Sequence, residues 1–106
     1  HAVTAASGSS PAYFFLILEA MQKALIKMNI DDNTARELVQ QSMHSAEKMV
    51  TENPQIALST LRENVTSKGG TTAAALAVFD VQHFNQTIEQ AMQACLSRSQ
   101  EMETLF

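Results

Sequence analysis

The sequence predicts an all-α domain, and three observations carry that prediction. Alanine, the strongest helix former, supplies 15 of the 106 residues, while proline supplies only two. Apolar side chains recur at steps of three and four along most of the chain. No stretch alternates apolar and polar residues for long enough to read as a strand. A mass of 11.6 kDa suffices for one domain around one core, and 45% apolar against 17% charged residues excludes disorder.

Ser10-Pro11 suits an N-cap followed by a first helical position, because proline has no N–H to leave unpaired there and its φ is already helical. The first helix is predicted from about Pro11 to about Met28. Its opening turns, Ala12 to Leu18, are apolar on every side, whereas a surface helix shows a polar face. A domain this small encloses a helix completely only with difficulty, so this segment is expected to lodge between subunits. Asn29-Ile30-Asp31-Asp32 then breaks the pattern and offers a carboxylate N-cap to a second helix. That helix carries Ala35, Leu38, Val39, Ser42, Met43, Ala46, Met49 and Val50 as one stripe. It ends at Asn53-Pro54, since the residue before proline is pushed out of the α region. A shorter helix is predicted over about Pro54 to Asn64, burying Ile56, Leu58, Leu61 and Val65.

Thr66 to Thr72 is the one strongly loop-like stretch inside the chain. The alanine-rich segment Ala73 to Val81 reads as a short helix opening at Thr71 or Thr72. His83 sits in the following turn, where a positive φ is expected. The last helix places Phe84, Ile88, Ala91, Met92 and Cys95 on one face and reaches about Glu103.

Composition removes several function classes. Seven basic against eleven acidic residues give a net charge of -4 and a pI near 5.2, the wrong sign for a nucleic-acid backbone binder. The longest apolar run has seven residues, far short of the roughly 20 that span a bilayer, and no basic segment precedes it as in a signal peptide. No membrane association is expected. A single cysteine, Cys95, cannot form an internal disulfide and points to a reducing cytoplasm. Dinucleotide and P-loop fingerprints are absent from the sequence, and no Cys/His pair has metal-ligand spacing, so no metal is expected. His1, His44 and His83 are scattered. Met21, Met28, Met43, Met49 and Met92 fall on apolar stripes and are expected to pack in the core, as is an inert Cys95 thiol.

Two Gly/Ser/Thr segments stand directly before helices, at Ser7 to Ser10 and at Ser67 to Thr72. Such a junction presents unpaired backbone N–H groups at the positive end of a helix dipole, which suits a carboxylate or phosphate. Ser7 to Ser10 reads as plain capping. Ser67 to Thr72 has paired glycines and paired threonines, more than a cap needs. Both an anion site and an ordinary inter-helix turn remain open for it. Lys68 adds a positive charge but precedes the glycines, the wrong order for a P-loop.

Ser7-Gly8-Ser9-Ser10-Pro11-Ala12-Tyr13 resembles the SGSxPAY opening of the C-terminal domain of pyrroline-5-carboxylate reductases. Val65-Thr66-Ser67-Lys68-Gly69-Gly70-Thr71-Thr72 resembles that family's VTSPGGTT segment, in the same order and at matching spacing. Phe84, Ala91 and Arg98-Ser99-Gln100-Glu101 are similar to the family's ending, and Ala2-Val3-Thr4-Ala5 fits the residues leading into the first motif. The likeness extends over essentially all 106 residues.

The resemblance implies the helical C-terminal domain of an enzyme that reduces 1-pyrroline-5-carboxylate to L-proline with NADPH or NADH. Members carry a separate Rossmann domain for the nucleotide, dimerise by interleaving their helical domains, and in some cases assemble as a decamer of five dimers. Residues 1–106 would be the dimerisation and substrate-binding domain, inactive alone. By motif position, Ser67, Gly69, Gly70, Thr71 and Thr72 would bind the substrate, with backbone N–H groups on its carboxylate. The Thr72 hydroxyl would take the catalytic position at the ring nitrogen, and Asn64 would reach the nucleotide. Lys68 stands where the family usually has Pro, Ser45 and His83 where it has Gly, and His1 where Asp is common. The alternative reading is a stand-alone helical homodimerisation module with no catalytic role.

Overall fold

The structure, a computed structural model, describes residues 2–105; His1 lies outside the described residues. They form six helices and no strand: α1 (Ala2–Ser7), α2 (Ser10–Lys27), α3 (Asp32–Glu52), α4 (Leu58–Asn64), α5 (Thr71–Val81) and α6 (Phe84–Leu105). The five helices that periodicity predicts are all present. The short α1 is additional, in a segment with no proline or carboxylate to announce a helix start. The chain divides into two compact units, one built from residues up to 15 and from 74 onward, the other from residues 16–73.

In the first unit α1 packs along α6. At the α5–α6 corner His83 adopts φ 59°, the left-handed conformation expected for this turn. Its carbonyl accepts both the Thr87 N–H (3.0 Å) and the Thr87 hydroxyl (3.1 Å), tying the corner to the first turn of α6. Phe79 and Phe84 meet across this corner with ring centroids 5.2 Å apart and planes tilted by 57°, a favourable aromatic geometry.

In the second unit α2 ends on Asn29, which takes φ 70°. The Asn29 N–H donates to the Ile26 carbonyl (3.0 Å) and the Ile30 N–H to the Leu25 carbonyl (3.1 Å), the paired bonds of a Schellman cap. Asp31 then caps α3: extended at φ -67° and ψ 158°, it accepts the Thr34 N–H on Oδ2 at 3.2 Å. Hydrogen bonding from Thr34, its side chain first and its N–H second, holds the Asp31 carboxyl below the usual carboxylate range. At the far end Asn53 Nδ2 donates to the Met49 carbonyl (2.8 Å).

The helix predicted from Pro54 starts at Leu58 instead. Ile56 N–H closes a single turn onto the Asn53 carbonyl (3.1 Å), and Ala57 then extends to ψ 143°, so residues 54–57 form a turn before α4. Buried apolar residues among those described are Ala35 and Val39 of α3 and Leu61 of α4, where these two helices pack. The rest of the expected core is a correction. Leu38, Met43, Met49 and Val50 on α3, Met21 and Met28 on and after α2, and Leu58 and Val65 are exposed within this chain. Met92 and Cys95 are half-buried. A periodic stripe marks an apolar face; it does not say which polypeptide covers it.

Candidate functional site

The loop between α4 and α5 is anchored on its upstream side by hydrogen bonds to the last turn of α4. Val65 N–H donates to the Arg62 carbonyl (3.3 Å), Thr66 N–H to the Glu63 carbonyl (3.0 Å), and the Thr66 hydroxyl also to Arg62 (2.6 Å). Carbonyls that a helix end leaves without partners are thereby satisfied.

Ser67-Lys68-Gly69-Gly70 follows as a tight turn, closed by the Gly70 N–H donating to the Ser67 carbonyl at 3.1 Å. Gly69 has φ +72°, and neither Lys68 nor Ser67 is among the positive-φ residues. A positive φ at the third turn position alone is the signature of a type II turn, which favours glycine there. The second glycine answers a different need. A Cβ on Gly70 would land on Ser67 Oγ and lie 3.3 Å from the Ser67 carbonyl oxygen.

α5 opens immediately after this turn, at Thr71. The N–H groups of Thr71, Thr72 and Ala73 precede the first intrahelical acceptor, so they are the donors left at the positive helix end. Gly70 N–H is committed to the turn. Ala73 joins the donor set for a reason visible in sequence, since a helix starting at Thr71 leaves its first three N–H groups unpaired. The first turn of α5 contains no acidic residue, and Lys68 is the loop's one charged side chain. Thr71 and Thr72 are exposed, and their hydroxyls hydrogen-bond to nothing among the described residues. The structure thus gathers Ser67, Gly69, Gly70, Thr71 and Thr72 into one contiguous segment with donors at its end. Asn64 closes α4 just upstream and is also exposed.

A second group of polar side chains comes together in the other unit. The Cys95 thiol on α6 donates to Ser9 Oγ at 3.2 Å. The Tyr13 hydroxyl is buried beside the same sulfur without a well-aligned partner among the described residues. The Ser9 hydroxyl, and secondarily Tyr13, stabilise the thiolate and hold Cys95 below an ordinary thiol, against the opposing effect of burial. Interaction with Cys95, then burial, pushes the Tyr13 phenol up. Cys95 therefore has polar neighbours that its place on an apolar stripe did not foretell. His44 is exposed on α3, and among the described residues no three His, Cys, Asp or Glu converge as a metal site. No helix of the described residues is long and apolar enough to cross a membrane.

Comparison with known proteins bears on the whole segment. A family model described as pyrroline-5-carboxylate reductase dimerisation matches residues 1–102. The chain is 93% identical over 106 residues to a pyrroline-5-carboxylate reductase of Haemophilus influenzae, covering all of this chain and 39% of that protein. Among solved structures, a Plasmodium falciparum pyrroline carboxylate reductase with NADP bound matches with a TM-score of 0.90 at 30% identity, over 95% of this chain and 38% of that one. A pyrroline-5-carboxylate reductase of Coxiella burnetii matches at 0.89 and 36% identity, over 94% and 37%. The chain thus spans about two fifths of the length of the relatives it matches.

Proposed function

The chain belongs to the pyrroline-5-carboxylate reductase dimerisation family, and from that premise we propose that residues 1–106 are the C-terminal pairing and substrate-holding domain of an enzyme reducing 1-pyrroline-5-carboxylate to L-proline. The observation that carries the substrate-holding role is the type II turn at Ser67–Gly70, which delivers the free N–H groups of α5 next to two unengaged threonine hydroxyls.

In this reading the substrate carboxylate is held by the N–H groups of Thr71, Thr72 and Ala73 at the helix N-terminus, where the dipole favours a negative charge. Ser67 lies across the turn as an additional hydroxyl donor, and Gly69 and Gly70 keep the backbone free of side chains on the approach. The Thr72 hydroxyl hydrogen-bonds the ring nitrogen, fixing the orientation of the C=N bond. Orientation of this kind, rather than a dedicated side-chain base, is this domain's contribution to hydride transfer.

The reductant is NADPH or NADH, which supplies the hydride when bound. Asn64, exposed at the end of α4, fits a single polar contact to the nucleotide. Neither a dinucleotide fingerprint nor a glycine-rich phosphate cradle occurs in this sequence, so the bulk of the cofactor is held by other parts of the enzyme.

Pairing is supported by exposed surface. Phe14, Phe15 and Leu16 of α2 are 54%, 66% and 66% exposed, although this segment has no polar face. The accessible surface is 8537 Å², against roughly 5,800 Å² expected for a folded monomer of this mass. A homodimer covering that surplus would bury on the order of 5,000 Å² in total, within the range of obligate dimers. Five such dimers forming a decamer would be the further assembly. A cytoplasmic location fits such a biosynthetic role.

Thr72→Ala in the full-length enzyme tests the reading. Loss of one hydrogen bond made in the transition state lowers kcat/KM about 10-fold or more, for ~1.5–3 kcal/mol. Full activity in that variant removes Thr72 from the site. Sedimentation tests pairing: a well-folded monomer would leave the exposed face of α2 unexplained.

A further inference from the structure

A feature of the α4–α5 loop goes unused in that mechanism. Lys68 occupies the second position of the type II turn, three residues ahead of the first helical residue of α5. It is exposed, and among the described residues its ammonium pairs with no carboxylate. The surroundings give that charge weight. These 106 residues carry a net charge of -4, so a cation beside the loop stands against the balance of this segment. The loop itself holds no acid, and neither does the first turn of α5. Lys68 and the α5 dipole therefore add with the same sign at the start of α5.

We propose that Lys68 is a substrate-affinity determinant, an electrostatic attractor that raises the affinity of the Ser67–Thr72 loop for a monocarboxylate without taking part in the chemistry. This rests on the assignment of the loop to the substrate. The turn holds the Lys68 backbone three residues from the helix start, and its side chain is exposed to solvent. Its contribution is thus a through-solvent attraction acting within a Debye length of about 8 Å at physiological salt, not a fixed hydrogen bond. A unit charge interacting at that range in high dielectric alters affinity by a small factor, roughly two- to fivefold. It acts on substrate and transition state alike, so it enters KM and leaves kcat.

The experiment uses the full-length enzyme at saturating cofactor, with KM for 1-pyrroline-5-carboxylate and kcat measured across ionic strength. Lys68→Gln raises KM about threefold at low salt with kcat unchanged, and the difference from wild type disappears near 1 M salt, where the Debye length is about 3 Å. Lys68→Arg, which keeps the charge, retains the wild-type KM and its salt dependence. A merely structural role at the turn would show as a change independent of salt. Thr72→Ala is assayed in parallel. If Thr72→Ala impairs turnover while Lys68→Gln leaves KM and its salt dependence untouched, the attractor role is overturned and the loop assignment stands. If Thr72→Ala is also fully active, the loop assignment fails and takes the Lys68 proposal with it.

Discussion

Ser67 and Gly70 close the α4–α5 turn on each other twice. The Ser67 carbonyl accepts the Gly70 N–H at 3.1 Å, and the Ser67 side chain fills the space a Cβ on Gly70 would need. One residue pair thus sets the direction in which α5 departs and keeps a hydroxyl beside the helix start.

The two glycines are expected to fail differently when substituted. Gly69→Ala meets open space, so its cost is conformational, about 1–2 kcal/mol for an L residue held at φ +72°. Calorimetry should record it as a drop in Tm of several degrees, since ~1 kcal/mol shifts a domain of this size by roughly 4–8 °C. Gly70→Ala displaces the Ser67 hydroxyl, a flexible group, and so should lower kcat/KM of the full-length enzyme more than it lowers Tm. Equal effects from both variants would refute the division of roles.

Acid should weaken the start of α3. The folded Asp31 carboxyl lies below its ordinary value through its bond to Thr34, so its stabilisation is fully present above the unfolded pKa of about 3.9 and is lost as pH falls through the folded value. Asp31→Asn keeps a good N-cap without the charge. Wild type should melt above Asp31→Asn at pH 7, and the gap should close as the pH falls through the lowered folded value. A gap that persists there would assign the effect to something other than the carboxylate.

Leu61 is one of only three buried apolar residues among those described, and its truncation should be felt. Leu61→Ala is expected to destabilise by about 2–4 kcal/mol, from lost transfer energy and the cavity left between α3 and α4. Urea unfolding measures this, and a loss under ~1 kcal/mol would mean that the α3–α4 contact contributes little.

Stability should depend on protomer concentration. If the apolar flank of α2 is covered by a second copy, the unfolding midpoint rises as the protein is concentrated. Leu16→Arg, which places a charge on that flank, should shift sedimentation toward the monomer or abolish folding. A concentration-independent Tm for the wild type would contradict pairing through this face.

What could be read from sequence was local. Pro11, Asp31 and His83 act through their own backbone and nearest neighbours, as does Asn53-Pro54 in ending α3, and these helix boundaries fall within a residue or two of expectation. The Schellman cap at Asn29 has an equally local cause, an asparagine followed by Ile30 at the end of an apolar stripe. Residues 54–57 misled because proline suits both a first helical turn and a turn that goes no further.

Placement across the chain was not readable. Periodicity identified Leu38, Met43, Met49 and Val50 as one apolar face but could not reveal that this chain leaves it uncovered. Cys95 and Ser9 stand 86 positions apart, so nothing in either segment announces their hydrogen bond. In the candidate site the loop and its helix were legible from glycine and threonine, whereas the commitment of the Gly70 N–H to Ser67 required coordinates.

α5 is a single rod of eleven residues, roughly 16 Å long. Its first turn carries Thr71 and Thr72 of the proposed substrate loop, while Val78, Phe79 and Val81 near its other end are exposed. Should that exposed end prove to be a pairing surface, damage there would disturb the same helix whose first turn carries the proposed site, and a mutational screen scored only by turnover would mistake lost pairing for lost recognition.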